Sequence, residues 1–162
     1  MRTWAEICDD PNLRDLPYKI EQDKWGHIVL SPTKSNHGEF QSEIVVQLRR
    51  LLPDWVALVE CAIATPEGAK VPDVAAMTRA RRRPTRGAAD LPIAPEICVE
   101  VISWSNTPDE MDEKRRLYAG AGCQEFWTCD ENGLMTFFNA ASGAKLEQSA
   151  LCPGFPARLI LD

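Results

Sequence analysis

The chain has 162 residues, 44% hydrophobic and 26% charged, a composition that suits one soluble globular domain with a real core. A formal net charge of -6 argues against a general nucleic-acid coat protein, which is basic overall, but leaves room for a local basic patch. No apolar run approaches the ~20 residues that cross a bilayer, and Met1 to Asp10 carries acids without the apolar centre of a secretory signal, so a cytoplasmic protein with no membrane association is expected.

Six cysteines (Cys8, Cys61, Cys98, Cys123, Cys129 and Cys152) are scattered, with no Cys-x-x-Cys pair and no zinc spacing. Several lie in apolar strand contexts, where cysteine acts as a small hydrophobe. Free thiols in a reducing compartment are the expectation.

In chain order, Thr3 to Cys8 reads as a short helix, with Thr3 as N-cap and Glu6 three residues on. Tyr18 to Gln22 and His27 to Leu30 flank Asp23-Lys24-Trp25-Gly26, a β-hairpin signal. Asn36 to about Leu52 is the first strong helix. Asn36 and Glu39 have the form of a capping box, and Phe40, Ile44, Leu48 and Leu51 form the apolar stripe. Glu43 lies beside that stripe, either as a solvated flank or as a functional acid.

Trp55 to Ala64 reads as a mostly buried strand, Thr65 to Gly68 as a turn, and Lys70 to Met77 as the next strand. Pro72 cannot donate to a ladder, so it marks a strand start, an edge or an irregularity. Asp73 follows it inside an apolar run. Arg79 to Asp90 is then a basic loop holding Arg79, Arg81, Arg82, Arg83 and Arg86. It is either a solvated loop or a set of phosphate contacts, because arginine offers a planar fork of donors.

Pro95 to Ser103 is a buried strand that carries carboxylates. By alternation Ile97, Val99 and Val101 share one face, and Glu96, Cys98, Glu100 and Ile102 the other. Glu100 therefore sits among apolar neighbours, where a carboxylate must be paired, hydrogen-bonded or bound to a cation. Thr107, Pro108 and Glu110 open a helix with a second capping box, and it runs to about Ala119. Met111, Leu117, Tyr118 and Ala121 share a face with Lys114 at its centre, while Arg115 and Arg116 fall towards the edge or beyond. Lys114 either snorkels to solvent or meets a carboxylate. Gln124 to Cys129 and Leu134 to Asn139 form a hairpin about Asp130 to Gly133, and Lys145 to Gln148 is a further strand.

Asp73 and Glu100 thus come from successive strands, and Lys114 from the helix after them. Two carboxylates at a sheet can hold Mg²⁺ or Mn²⁺ at about 2.1 Å. Such an ion lowers the pKa of a bound water, and a lysine beside it can stabilise the oxyanion. The set is a phosphodiesterase kit. The rival readings are a buried ionic triad with a structural role and a non-catalytic binding protein.

Val71-Pro72-Asp73-Val74-Ala75 followed by Pro95 to Ser103, with Glu100 on the strand, resembles the PD-(D/E)XK nuclease superfamily. More closely, the chain resembles the bacterial putative restriction endonuclease family. Tyr18 to Glu21 with Gly26, His37 before a helix ending at Leu51-Leu52, Ser105-Asn106, Lys114, Tyr118, Gly122 and Glu125-Phe126-Trp127 match at similar spacing. The superfamily pattern has lysine two residues after the glutamate, where Ile102 stands. The family resembled takes that lysine from the next helix, the position of Lys114. Trp104 stands where relatives often have proline, and His37 matches a histidine at the helix start, where a capping or hydrogen-bonding role is the expectation.

The resemblance implies a restriction-endonuclease-like α/β fold over residues 1–162: a mixed central β-sheet flanked by α-helices, with β-hairpin additions. It implies a Mg²⁺- or Mn²⁺-dependent DNA endonuclease, with Asp73 and Glu100 as metal ligands and Lys114 as the catalytic cation. From the residues themselves, Glu43 is a candidate further acid and Arg79, Arg81, Arg82, Arg83 and Arg86 are candidate DNA backbone contacts, and by analogy a homodimer is expected. The alternative is a nucleic-acid-binding or protein-interaction domain that keeps the fold without catalysis.

Overall fold

The computed structural model describes residues 1–161. Six strands form one mixed sheet. In sheet order they are Lys145–Leu146 (β10), Met135–Asn139 (β9), Glu125–Cys129 (β8), Ile97–Val101 (β7), Val74–Thr78 (β6) and Trp55–Val59 (β3). Two hairpins stand apart from it: Tyr18–Gln22 (β1) with Ile28–Pro32 (β2), and Ile63–Thr65 (β4) with Gly68–Lys70 (β5). The helices are Trp4–Cys8 (α1), Ser35–Leu51 (α2), Arg79–Arg82 (α3) and Pro108–Gly120 (α4). This is the expected α/β architecture.

Among the described strands of the sheet, β7 and β8 alone pair in parallel. A parallel pair needs a crossover, and α4 supplies it, opened by the Thr107–Glu110 capping box. The alternation along β7 divides the core. Ile97, Val99 and Val101 face α2, through Phe40, Ile44 and Leu48, and the ring of Trp127. Cys98 faces α4, through Met111 and Tyr118, together with Met77 and Phe126. Glu100 has the parity of Cys98, so it points to the α4 side of the sheet.

Several expected boundaries move. α2 begins at Ser35 with Lys34 as its N-cap, and no side chain caps it, so Asn36 and Glu39 form no box. A cap is worth about 1 kcal/mol, whereas each of the three buried stripe residues contributes roughly 1.5–3 kcal/mol. Packing therefore decides where the helix starts. The earlier start brings His37 onto the buried stripe, three residues before Phe40.

The strand expected from Trp55 to Ala64 breaks at Glu60, whose φ of 48° is left-handed. β3 is the sheet edge and only half-buried, and the chain turns there into the β4–β5 hairpin. The strand expected from Lys70 is likewise interrupted at Val71-Pro72-Asp73, and β6 starts after it. The arginine segment is not all loop. Thr78 caps α3, and Arg83–Thr85 makes a 3₁₀ turn. Arg115, expected near the edge of α4, is buried instead and donates to the backbone oxygens of Ala140 and Ala141.

Glu125, at the start of β8, is buried and fastens the C-terminal segment to the sheet. Its Oε1 accepts from the amides of Ala150 and Leu151 at 2.8 and 3.0 Å, and its Oε2 from Trp127 Nε1 and Ser149 Oγ at 2.8 and 2.7 Å. Replacing Glu125 with alanine strands these buried donors and is expected to cost about 3 kcal/mol, read as a lower urea midpoint.

Candidate active site

β6 and β7 are antiparallel, with Val74 opposite Val99 and Ala75 opposite Cys98. Continued by one residue, this register sets Asp73 opposite Glu100. Both carboxylates are buried. Like charges directly across a ladder are destabilising, so the pair requires cations.

Two lysines supply them. Lys19 Nζ bridges the pair, 2.8 Å from Asp73 Oδ1 and 3.2 Å from Glu100 Oε2. Lys114 Nζ lies 3.3 Å from Glu100 Oε1 and 3.2 Å from Glu21 Oε2. Lys19 and Glu21 are two apart on β1 and so share a face. Glu21 Oε1 accepts from the amide of Val71 at 2.7 Å, which ties the hairpin to the segment that carries Asp73.

Neutral donors orient the carboxylates. The Val101 amide donates to Asp73 Oδ2 at 2.7 Å. The Tyr118 hydroxyl, one turn beyond Lys114, donates to Glu100 Oε1 at 2.7 Å. His37 Nε2 is 3.2 Å from Asp73 Oδ1. Beyond that close approach, Nε2 is a buried nitrogen that makes no hydrogen bond among the described residues.

Burial opposes the Asp73 charge, but His37 and Lys19 outweigh it and hold the carboxyl well below its ordinary range. Burial pushes Glu100 above its ordinary value against the pull of Lys114 and Lys19. Burial also opposes the charge of both lysines. Glu100 and Asp73 reverse this at Lys19, as Glu100 does at Lys114, and both ammonium groups are held above their usual value. Burial and the Glu100 charge push the Tyr118 phenol far up, so it remains a donor.

The cluster forms the floor of a cleft of about 510 Å³, with Lys34, Ser103, Trp104, Asn106 and Glu110 around it. Trp104 is 78% exposed at the rim. The donor set fits a hard dication: two carboxylate oxygens aim at one point, beside an unpartnered histidine nitrogen. Mg²⁺ commonly uses one or two carboxylates and completes its shell with water and phosphate. Among the described residues, no three acidic, histidine or cysteine side chains already stand in metal-holding geometry.

A family model described as Uma2, putative restriction endonuclease, matches residues 13–154. The chain belongs to the Uma2 family. The fold of the Uma2 chain is also that of a crystal structure of a putative nuclease belonging to DUF820 from Anabaena variabilis. The two share 18% sequence identity and superpose with a TM-score of 0.71, over 90% of this chain and 83% of that one. No curated protein matches the chain.

In this Uma2 protein Asp73, Glu100 and Lys114 meet as the sequence suggests, but two other expected groups lie elsewhere. Glu43 bonds Gln47 at 2.6 Å and borders a shallow depression on the outer face of α2. The helical period turns it away from the His37 stripe. The arginines follow the far end of β6, about 16 Å along a five-residue strand from Asp73. Arg81 is committed to the carbonyls of Ala94 and Gly122 and to Glu96, Arg82 bonds Thr85, and Arg79 reaches the carbonyl of Pro53. Arg83 and Arg86 are exposed there, and none of the five lines the cleft.

Lys19, Glu21, Tyr118 and the placement of His37 are additions to the set expected from sequence. A period-two pair on β1 and the i, i+4 step from Lys114 to Tyr118 are the signals that point to them. Glu21→Ala removes a partner of Lys114 and strands the Val71 amide, with an expected cost of about 2–4 kcal/mol in chemical denaturation.

Proposed function

We propose that the protein is a metal-dependent endonuclease that hydrolyses phosphodiester bonds in DNA, using Mg²⁺ or Mn²⁺. The observation that carries this reading is the convergence of Asp73, Glu100 and Lys114 at the floor of one open cleft. The family description supports the same chemistry.

Asp73 and Glu100 are the residues that would hold the dication. When bound, such an ion supplies a water of lowered pKa and neutralises charge developing on phosphorus oxygens. Lys114, fixed between Glu100 and Glu21, orients the attacking water or stabilises the transition-state oxyanion. Tyr118 and the Val101 amide keep the carboxylates aimed. A homodimer follows from the need to cut two strands with symmetry-related sites. The six free cysteines support a reducing, cytoplasmic setting.

One observation favours a second reading, a nucleic-acid-binding or protein-interaction domain without catalysis: the Lys19 ammonium fills the space between the two carboxylates. Nicking of supercoiled plasmid with Mg²⁺ or Mn²⁺ separates the two. Under the endonuclease reading, Glu100→Gln and Lys114→Ala each lower the rate by about 10²-fold or more. The isosteric Glu100→Gln variant retains its far-UV circular dichroism. A wild-type protein that leaves plasmid and linear DNA intact with both metals establishes the second reading.

A further inference from the structure

We propose that Lys19 is a resident counter-cation which a dication must displace, so that the metal-free and metal-bound sites differ by an exchange of Lys19 for metal. This rests on the metal-dependent reading above and goes beyond it.

Each carboxylate has one oxygen committed to the fold and one committed to Lys19. Asp73 Oδ2 is held by the Val101 amide, and Glu100 Oε1 by Tyr118 and Lys114. The remaining pair, Asp73 Oδ1 and Glu100 Oε2, are the two oxygens that Lys19 contacts at 2.8 and 3.2 Å. A dication therefore finds its oxygens already in use. It cannot share them with the ammonium, because it draws oxygens in to about 2.1 Å and repels a positive charge at that range.

Lys19 is placed to leave. It stands on the β1–β2 hairpin, which is not a strand of the main sheet. Its side chain lines the cleft, and its four-carbon stem is flexible. Lys114 is placed to stay, since Glu21 holds it at 3.2 Å as well as Glu100 at 3.3 Å, and neither of those two oxygens is one that Lys19 contacts. The two lysines thus divide the work: one keeps opposed carboxylates together before metal arrives, and the other remains beside the metal.

Mn²⁺ titration calorimetry on the wild type, Lys19→Met and Lys114→Met tests this. Lys19→Met is expected to bind Mn²⁺ about tenfold more tightly than wild type, and Lys114→Met to gain clearly less. Equal gains in the two variants would show a general charge effect and overturn the exchange. Equal affinity of wild type and Lys19→Met also overturns it, and leaves the metal-dependent reading standing. No binding by either protein removes both.

Lys19→Met leaves two facing carboxylates without their bridge, so a second measurement uses the wild type alone. Acetylation of Lys19 by acetic anhydride, read by mass spectrometry, is expected to rise severalfold on adding Mg²⁺ or Mn²⁺ at saturating concentration. Unchanged Lys19 labelling in a protein that binds the metal refutes the displacement.

Discussion

Two buried carboxylates face one another across a β-ladder, and the surrounding structure is arranged to make that tolerable. The β6–β7 register, continued by one residue, puts Asp73 opposite Glu100, and both are buried. Side by side they repel, and burial penalises each charge. The arrangement persists because cations and oriented donors reach it: Lys19 from the first hairpin, the Val101 amide from the end of β7, and Lys114 with Tyr118 from α4, while His37 of α2 lies 3.2 Å from Asp73.

This constraint explains the distribution of the helices. α2 starts early, without a side-chain cap, and in doing so carries His37 to Asp73. α4 is the crossover between the parallel strands β7 and β8, so the residues on its inner face necessarily lie over the end of β7. Lysine and tyrosine one turn apart then both meet Glu100. The charged cluster is a consequence of ordinary crossover packing, with polar residues placed where apolar ones would otherwise close the core. Glu125 is the contrasting case. It is as buried as Glu100, but four neutral donors satisfy it, and no cation is needed. The two acids show that equally buried carboxylates can be satisfied by neutral donors alone or with the help of cations.

An open cleft also bears on the meaning of the ionic network. A buried salt bridge contributes little net stability once desolvation is counted. A network of three carboxylates and two ammonium groups, lined up along an accessible cleft, is therefore poorly explained as scaffolding. Its place on the floor of the cleft is what the endonuclease proposal rests on.

The sequence by itself determined the secondary elements with strong local signals: the Thr107–Glu110 box that opens α4, the turn at Asp130 to Gly133, and the two-faced pattern of β7. It also singled out Asp73, Glu100 and Lys114, because a charge inside an apolar pattern is visible without coordinates. Tertiary structure alone decided which charges meet. Lys19 and Asp73 are 54 positions apart, and nothing local to Tyr18–Gln22 says which pocket that face enters. The exclusion of Glu43 and the arginine segment has the same origin. Residue type is local, but the end of a strand and the face of a helix acquire their neighbours only when the sheet order is set, and long-range packing sets it.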